Sequence, residues 1–202
     1  MRPASLRPFI LALLALAALI AAAAQALEAQ AAIVVTGSSE FDDTDYGVSG
    51  RLAWNLSSLI GLEGEATFYP RDYPESVPIT RNRLEALFGA TAGPRLGRVR
   101  PFARLRAGVT RFAVAPAPIA CVAIFPPPLG CIVAGGATMG TLDAGGGLEL
   151  NATRRTFVRV DAGDRMLKYP GPSITLDRAA SRRRESFFGH DVRVAFGAGI
   201  RF

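Results

Sequence analysis

The amino-acid sequence predicts an all-β protein, an eight-stranded antiparallel transmembrane β-barrel with up-and-down topology. Apolar residues recur at every second position through most of the chain, the signature of strands, and nothing after residue 26 reads as a good amphipathic helix. The connections between these runs alternate between short and long. One face of each run is rich in Val, Leu, Phe and Ala, and the other carries charges of both signs mixed with glycine.

The chain opens on a targeting segment. Arg2 and Arg7 accompany an apolar run of 17 residues, Pro8 to Ala24, and Ala24-Gln25-Ala26 forms an A-x-A cleavage site. Residues 1–26 are expected to be a cleaved signal peptide and residues 27–202 the barrel domain, with cleavage after Ala29 or Ala31 as variants of the same pattern. An uncleaved anchor is the alternative, but the run falls short of the roughly 20 residues a spanning helix needs. Of the 23 basic residues, loss of Arg2 and Arg7 leaves 21 against 17 acidic ones, a balance too even to point to nucleic acid. No later run is long and apolar enough for a membrane helix, so a membrane-embedded chain has to close as a barrel.

The first strand is expected near Ala31 to Gly37, where the alternation is blurred. In the second, Tyr46, Val48, Gly50, Leu52 and Trp54 alternate with Gly47, Ser49, Arg51, Ala53 and Asn55. In the third, Ile60, Leu62, Gly64, Ala66 and Phe68 oppose Glu63, Glu65, Thr67 and Tyr69. The fourth sets Leu84, Ala86, Phe88 and Ala90 against Arg83, Glu85, Leu87 and Gly89. The fifth, from Val99, opposes Ala103, Leu105, Ala107 and Val109 to Arg100, Phe102, Arg104, Arg106 and Gly108. In the sixth, Leu142, Ala144, Gly146, Leu148 and Leu150 face away from Asp143, Gly145, Gly147 and Glu149. The seventh sets Val158, Val160, Ala162 and Met166 against Arg159, Asp161, Gly163 and Arg165, with Asp164 interrupting the apolar side and Phe157 on the polar one. The eighth is HDVRVAFGAGIRF, in which Val192, Val194, Phe196, Ala198 and Ile200 oppose Arg193 and Arg201.

Connections after the second, fourth and sixth strands are short (56–59, 93–98, 151–155), and those after the odd strands are longer (38–45, 70–79, 114–137, 168–189). Short turns on one side and long loops on the other match outer-membrane barrels, whose short turns are periplasmic. A soluble barrel with an apolar ligand cavity is the competing reading of the same alternation. The polar face decides between them. Arg51, Glu63, Glu65, Arg83, Glu85, Arg104, Arg106, Asp143, Glu149, Arg159, Asp161, Arg165, Arg193 and Arg201 form a near-balanced charge network that an eight-stranded lumen can pair internally, with the glycines making room for the arginines. Trp54 and Phe202 fall toward the short-turn end and Phe68 toward the other, as interfacial girdles require.

The closing VAFGAGIRF resembles the terminal strand of bacterial outer-membrane barrels. ALFGATAG, RVRPFARLRAGVTRF, LDAGGGLEL and FVRVDAGDRMLKY stand in the order seen in the small outer-membrane β-barrel family of the OmpA transmembrane-domain or OmpX type, a similarity covering roughly Tyr46 to Phe202. The resemblance implies a barrel in the bacterial cell outer membrane, in contact with lipid and lipopolysaccharide, and probing by the barrel-assembly machinery of Phe196, Ile200 and Phe202. It implies no activity. A periplasmic peptidoglycan-binding domain, which some members carry after the barrel, is not expected in this chain.

Four features bear on chemistry. Cys121 and Cys131 are expected to form a local disulfide, as a close pair in an exported protein does. Arg182, Arg183 and Arg184 make the densest basic run, read either as a solvated loop or as a contact for lipopolysaccharide phosphates. The apolar loop around the cysteines is a candidate partner site or a cover for the barrel mouth. His190, the only histidine, suggests a rim active site, but a serine hydrolase needs a serine and an orienting carboxylate, and the adjacent Asp191 points to the opposite face. The sequence contains no metal-ligand spacing and implies no cofactor. It predicts a monomeric structural or surface-interaction protein that is not an enzyme. The alternatives are a narrow pore for ions or small solutes and, third, a lipid A-modifying enzyme.

Overall fold

The computed structural model describes residues 27–39, 43–71, 82–113, 136–169 and 186–202. They form eight strands: β1 (Leu27–Ser38), β2 (Asp43–Asn55), β3 (Ile60–Tyr69), β4 (Arg83–Ala92), β5 (Val99–Phe112), β6 (Ala137–Asn151), β7 (Thr156–Tyr169) and β8 (Phe187–Arg201). Each strand pairs antiparallel with its neighbours in sequence, and β8 returns to pair with β1, so the sheet closes into a barrel without an edge. The longer strands exceed the 9–11 residues that cross a bilayer at the usual tilt.

Alternation sets the two faces. Ile33, Leu52, Phe88, Leu105, Leu148 and Phe196, one on each of six strands, are all more than half exposed on the outer wall. The buried residues at the intervening positions line the interior. β1 starts four residues earlier than the alternation suggests. Its register with β2 and β8 places Glu28 and Gln30 inside beside Val34, which packs against Tyr69 and Ala195. That apolar contact within a polar wall is what blurs the sequence pattern of the strand.

The short turns are fixed by local hydrogen bonds. Leu56 N and Ser57 N both donate to Ile60 O at 3.0 Å, while Ser57 Oγ accepts from Ile60 N at 3.0 Å. Thr153 repeats the device, its Oγ1 accepting from Thr156 N at 3.0 Å. Between β4 and β5, Leu96 and Val99 exchange backbone hydrogen bonds around Gly97, whose φ of 64° suits glycine.

The inward glycines have a different purpose from the one the sequence suggests. A Cβ on Gly145 would lie 2.6 Å from Gly163 Cα, one on Gly147 2.7 Å from Asp161 Cα, and one on Gly89 2.6 Å from Arg106 Cα. The space these three clear belongs to the backbone of the next strand, not to arginine side chains. A narrow barrel is concave inside, and its strands crowd there.

Candidate functional site: the filled lumen and the two rims

The lumen charges come from alternate positions on seven strands plus Glu28 of β1, and they meet along the barrel axis. At mid-height, Arg106 Nη1 lies 2.8 Å from Glu65 Oε2 and 3.5 Å from Glu63 Oε1, while its Nη2 lies 3.1 Å from Asp143 Oδ2. Arg104 Nε donates to Asp143 Oδ1 at 2.8 Å, and its Nη1 pairs with Asp161. Arg159 bridges Asp161 (2.9 Å) and Glu63 (3.0 Å), Arg51 reaches Glu63 at 2.7 Å, and Arg193 pairs with Glu65.

Nearer the long loops, Arg165 joins Glu85 (2.9 Å) and Asp191, and Arg83 pairs with Asp45 at 3.0 Å. Tyr69 shares a 3.1 Å hydrogen bond with Thr36 and carries the Arg83 guanidinium 4.1 Å above its ring. At the short-turn end Arg201 spans Glu28 (2.6 Å) and Glu149, with Asn55 donating to Glu28 at 2.9 Å. Aromatic rings stack against the same cations, Arg159 over Phe102 at 3.9 Å and Arg201 over Phe157 at 4.8 Å.

All fourteen charged residues that the sequence assigns to the network point inward. Thirteen are buried, and Arg201 is half-buried at the rim. Arg100 joins them, as its parity on β5 suggests. The sequence reading missed three carboxylates. Glu28 lies in the blurred first strand, Asp45 just ahead of the alternating run of β2, and Asp191 beside the rim histidine. With them, nine carboxylates and nine guanidinium groups share the lumen among the described residues, counting Arg201. Such pairs are tolerable out of water only when matched and hydrogen-bonded. This equality of signs is therefore a condition for filling the barrel.

Phe196, Ile200 and Phe202 stand exposed on the outer wall, Phe202 N donating to Leu27 O at 3.0 Å. Cys121, Cys131, Arg182, Arg183, Arg184 and residues 1–26 lie outside the described residues, as does most of the apolar loop.

His190 also faces outward, and its partner is one the sequence does not reveal. Nδ1 lies 2.9 Å from Asp164 Oδ2, the carboxylate that interrupts the apolar face of β7, reached diagonally across the β7–β8 ladder. Asp191 is turned into the lumen against Arg165. Ser39 donates its hydroxyl to the His190 carbonyl. Among the described residues no serine hydroxyl bonds the imidazole. No group of His, Cys, Asp and Glu among them is arranged to hold a metal ion.

The remaining charge is on the rims. Arg95, Arg98, Arg154 and Arg155 are exposed in the short turns, and Arg111 and Lys168 are exposed on the outer wall near the opposite end.

No protein-family model matches the chain, and no curated protein matches it. Solved structures do. Neisserial surface protein A aligns over 88% of this chain and 97% of its own, at 15% identity with a TM-score of 0.53. The N-terminal β-barrel domain of Pseudomonas aeruginosa OprF aligns over 87% and 97% at 15% identity, with a TM-score of 0.47. Ail, the attachment invasion locus protein of Yersinia pestis, aligns over 87% and 96% at 18% identity, with a TM-score of 0.44. The likeness to the first is one of fold alone.

Proposed function

We propose, taking as premise that the chain has the eight-stranded barrel fold of the Neisserial surface protein, that it is an integral outer-membrane barrel with a structural or surface-interaction role and a lumen closed to ions. The observation that carries this reading is the matched set of nine carboxylates and nine guanidinium groups lining the lumen among the described residues, most of them ion-paired side chain to side chain through the height of the barrel. Around it runs an apolar wall whose outward charges among the described strands, Asp164, Arg111 and Lys168, lie in its long-loop half, which supports a monomer surrounded by lipid. The short turns then face the periplasm and the long connections the cell exterior. Residues 1–26 are the export signal in this reading, Cys121 and Cys131 close the third outer loop, and Arg182, Arg183 and Arg184 meet lipopolysaccharide phosphates. Phe196, Ile200 and Phe202 present the last strand to the assembly machinery.

The rival is a narrow pore. Arg106 is held by three carboxylates and Arg159 by two across the lumen, and Phe102 covers the Arg159 guanidinium, which favours a closed interior. Recordings of the purified protein in planar bilayers are expected to show no steady current. A steady, ion-selective current would overturn the closed-lumen reading.

A further inference from the structure

The charge inside the barrel is balanced, so the character of each end depends on residues outside it. The short-turn end is one-sided. Residues 56–59, 93–98 and 152–155 contain four arginines and no acidic residue. Arg95 lies 3.8 Å from Glu28, but among the described residues no carboxylate comes within ion-pair distance of Arg98, Arg154 or Arg155. Two of these turns touch. Asn151 N donates to Arg98 O at 2.8 Å, which draws the β4–β5 turn against the β6–β7 turn. Between them opens a cleft of about 440 Å³ lined by Arg98, Arg154, Arg201, Asn151 and Thr153. Arg201 is already committed to Glu28 and Glu149. Arg98 and Arg154 remain as donors lining the cleft with no described carboxylate paired to them.

Apolar residues say what surrounds the cleft. Leu96 is more than half exposed in the β4–β5 turn and Leu150 ends β6 beside Arg98, while Leu56 and Leu59 are exposed in the β2–β3 turn, whose Leu59 O accepts from Gly93 N. Leucines beside arginines suit the boundary where acyl chains give way to headgroups, since the guanidinium groups reach phosphate while the apolar side chains stay in hydrocarbon. A site for free phosphate would have no use for them.

We infer that the cleft between Arg98 and Arg154, with Arg155 beside it, binds the phosphate of an anionic phospholipid headgroup on the periplasmic leaflet. Bidentate guanidinium forks suit a phosphodiester, and each arginine near an anionic surface strengthens attraction by about fivefold. The inference rests on the membrane-barrel reading above.

A reporter placed at the cleft tests it. Trp54→Phe with Leu150→Trp leaves one tryptophan on the outer wall at the end of β6, next to Arg98. This variant is reconstituted into vesicles of phosphatidylcholine containing either brominated phosphatidylglycerol or brominated phosphatidylcholine. Quenching is expected at a several-fold lower mole fraction of the anionic lipid. The preference should weaken in high salt and disappear when Arg98→Gln, Arg154→Gln and Arg155→Gln are combined. Arg111→Gln, at the opposite rim, should leave it intact. Equal quenching by the two lipids, or a preference that survives the triple variant, overturns the site. Loss of the preference on adding inorganic phosphate at constant ionic strength overturns the assignment to a lipid. If the protein does not stay with the vesicles at all, the membrane-barrel reading fails instead.

Discussion

Arg106 shows how tightly a single lumen side chain is committed. Its guanidinium reaches three carboxylates, Glu63 and Glu65 of β3 and Asp143 of β6, and its side chain is fully buried. Arg106→Leu keeps much of the volume but leaves buried negative charge without its partner. Breaking a buried pair from one side costs about 3–5 kcal/mol, and urea unfolding of the barrel in lipid vesicles should register a loss of that order. A matching charge removal, Glu65→Gln in the same chain, should recover part of it; no recovery would mean that packing rather than charge holds the residue in place. The identity of these residues was readable from parity alone, because alternation fixes the face. Their pairing was not. Which carboxylate an arginine meets depends on barrel curvature and on contacts far apart in sequence, such as Arg159 with Glu63, 96 residues apart. The His190–Asp164 pair was hidden for the same reason, since it needs the β7–β8 register.

Among the strands, β6 combines both kinds of glycine. Gly145 faces inward, where a Cβ would press on the β7 backbone, whereas Gly140 has open space where its Cβ would go. Gly145→Ala should therefore destabilise by about 1–3 kcal/mol through overpacking, and Gly140→Ala should be neutral or slightly stabilising. Thermal shifts of band mobility on unheated gels would compare them, and equal effects would refute the crowding explanation. Strand number, order and most boundaries were legible, the third strand to the residue, because period 2 is strong wherever one face is charged. The pattern failed on β1, where Val34 and Ala32 occupy the inner parity. It also could not distinguish a glycine that admits a side chain from one that admits a backbone.

Taken whole, the molecule is inverted relative to a soluble protein, with charge inside and an apolar wall outside. Val194 sits halfway along β8 on that wall. Val194→Arg should cost about 2–4 kcal/mol in a bilayer, measured by refolding into vesicles, whereas a barrel bathed in water would accept it without loss. The seam where β1 meets β8 carries a further consequence, one of timing. Glu28 and Arg201 are joined across 173 residues of sequence, and Ile33 faces Phe196 along the same ladder. The pairing that removes the last open edge thus joins the first and the eighth strand of the barrel. Contacts this distant in sequence form slowly, since the ordering of the whole intervening chain precedes them. Until they do, seven strands present two unpaired borders and a row of unmatched charges, a state with every reason to aggregate. A polypeptide built this way depends on being kept from aggregating until its eighth strand meets its first.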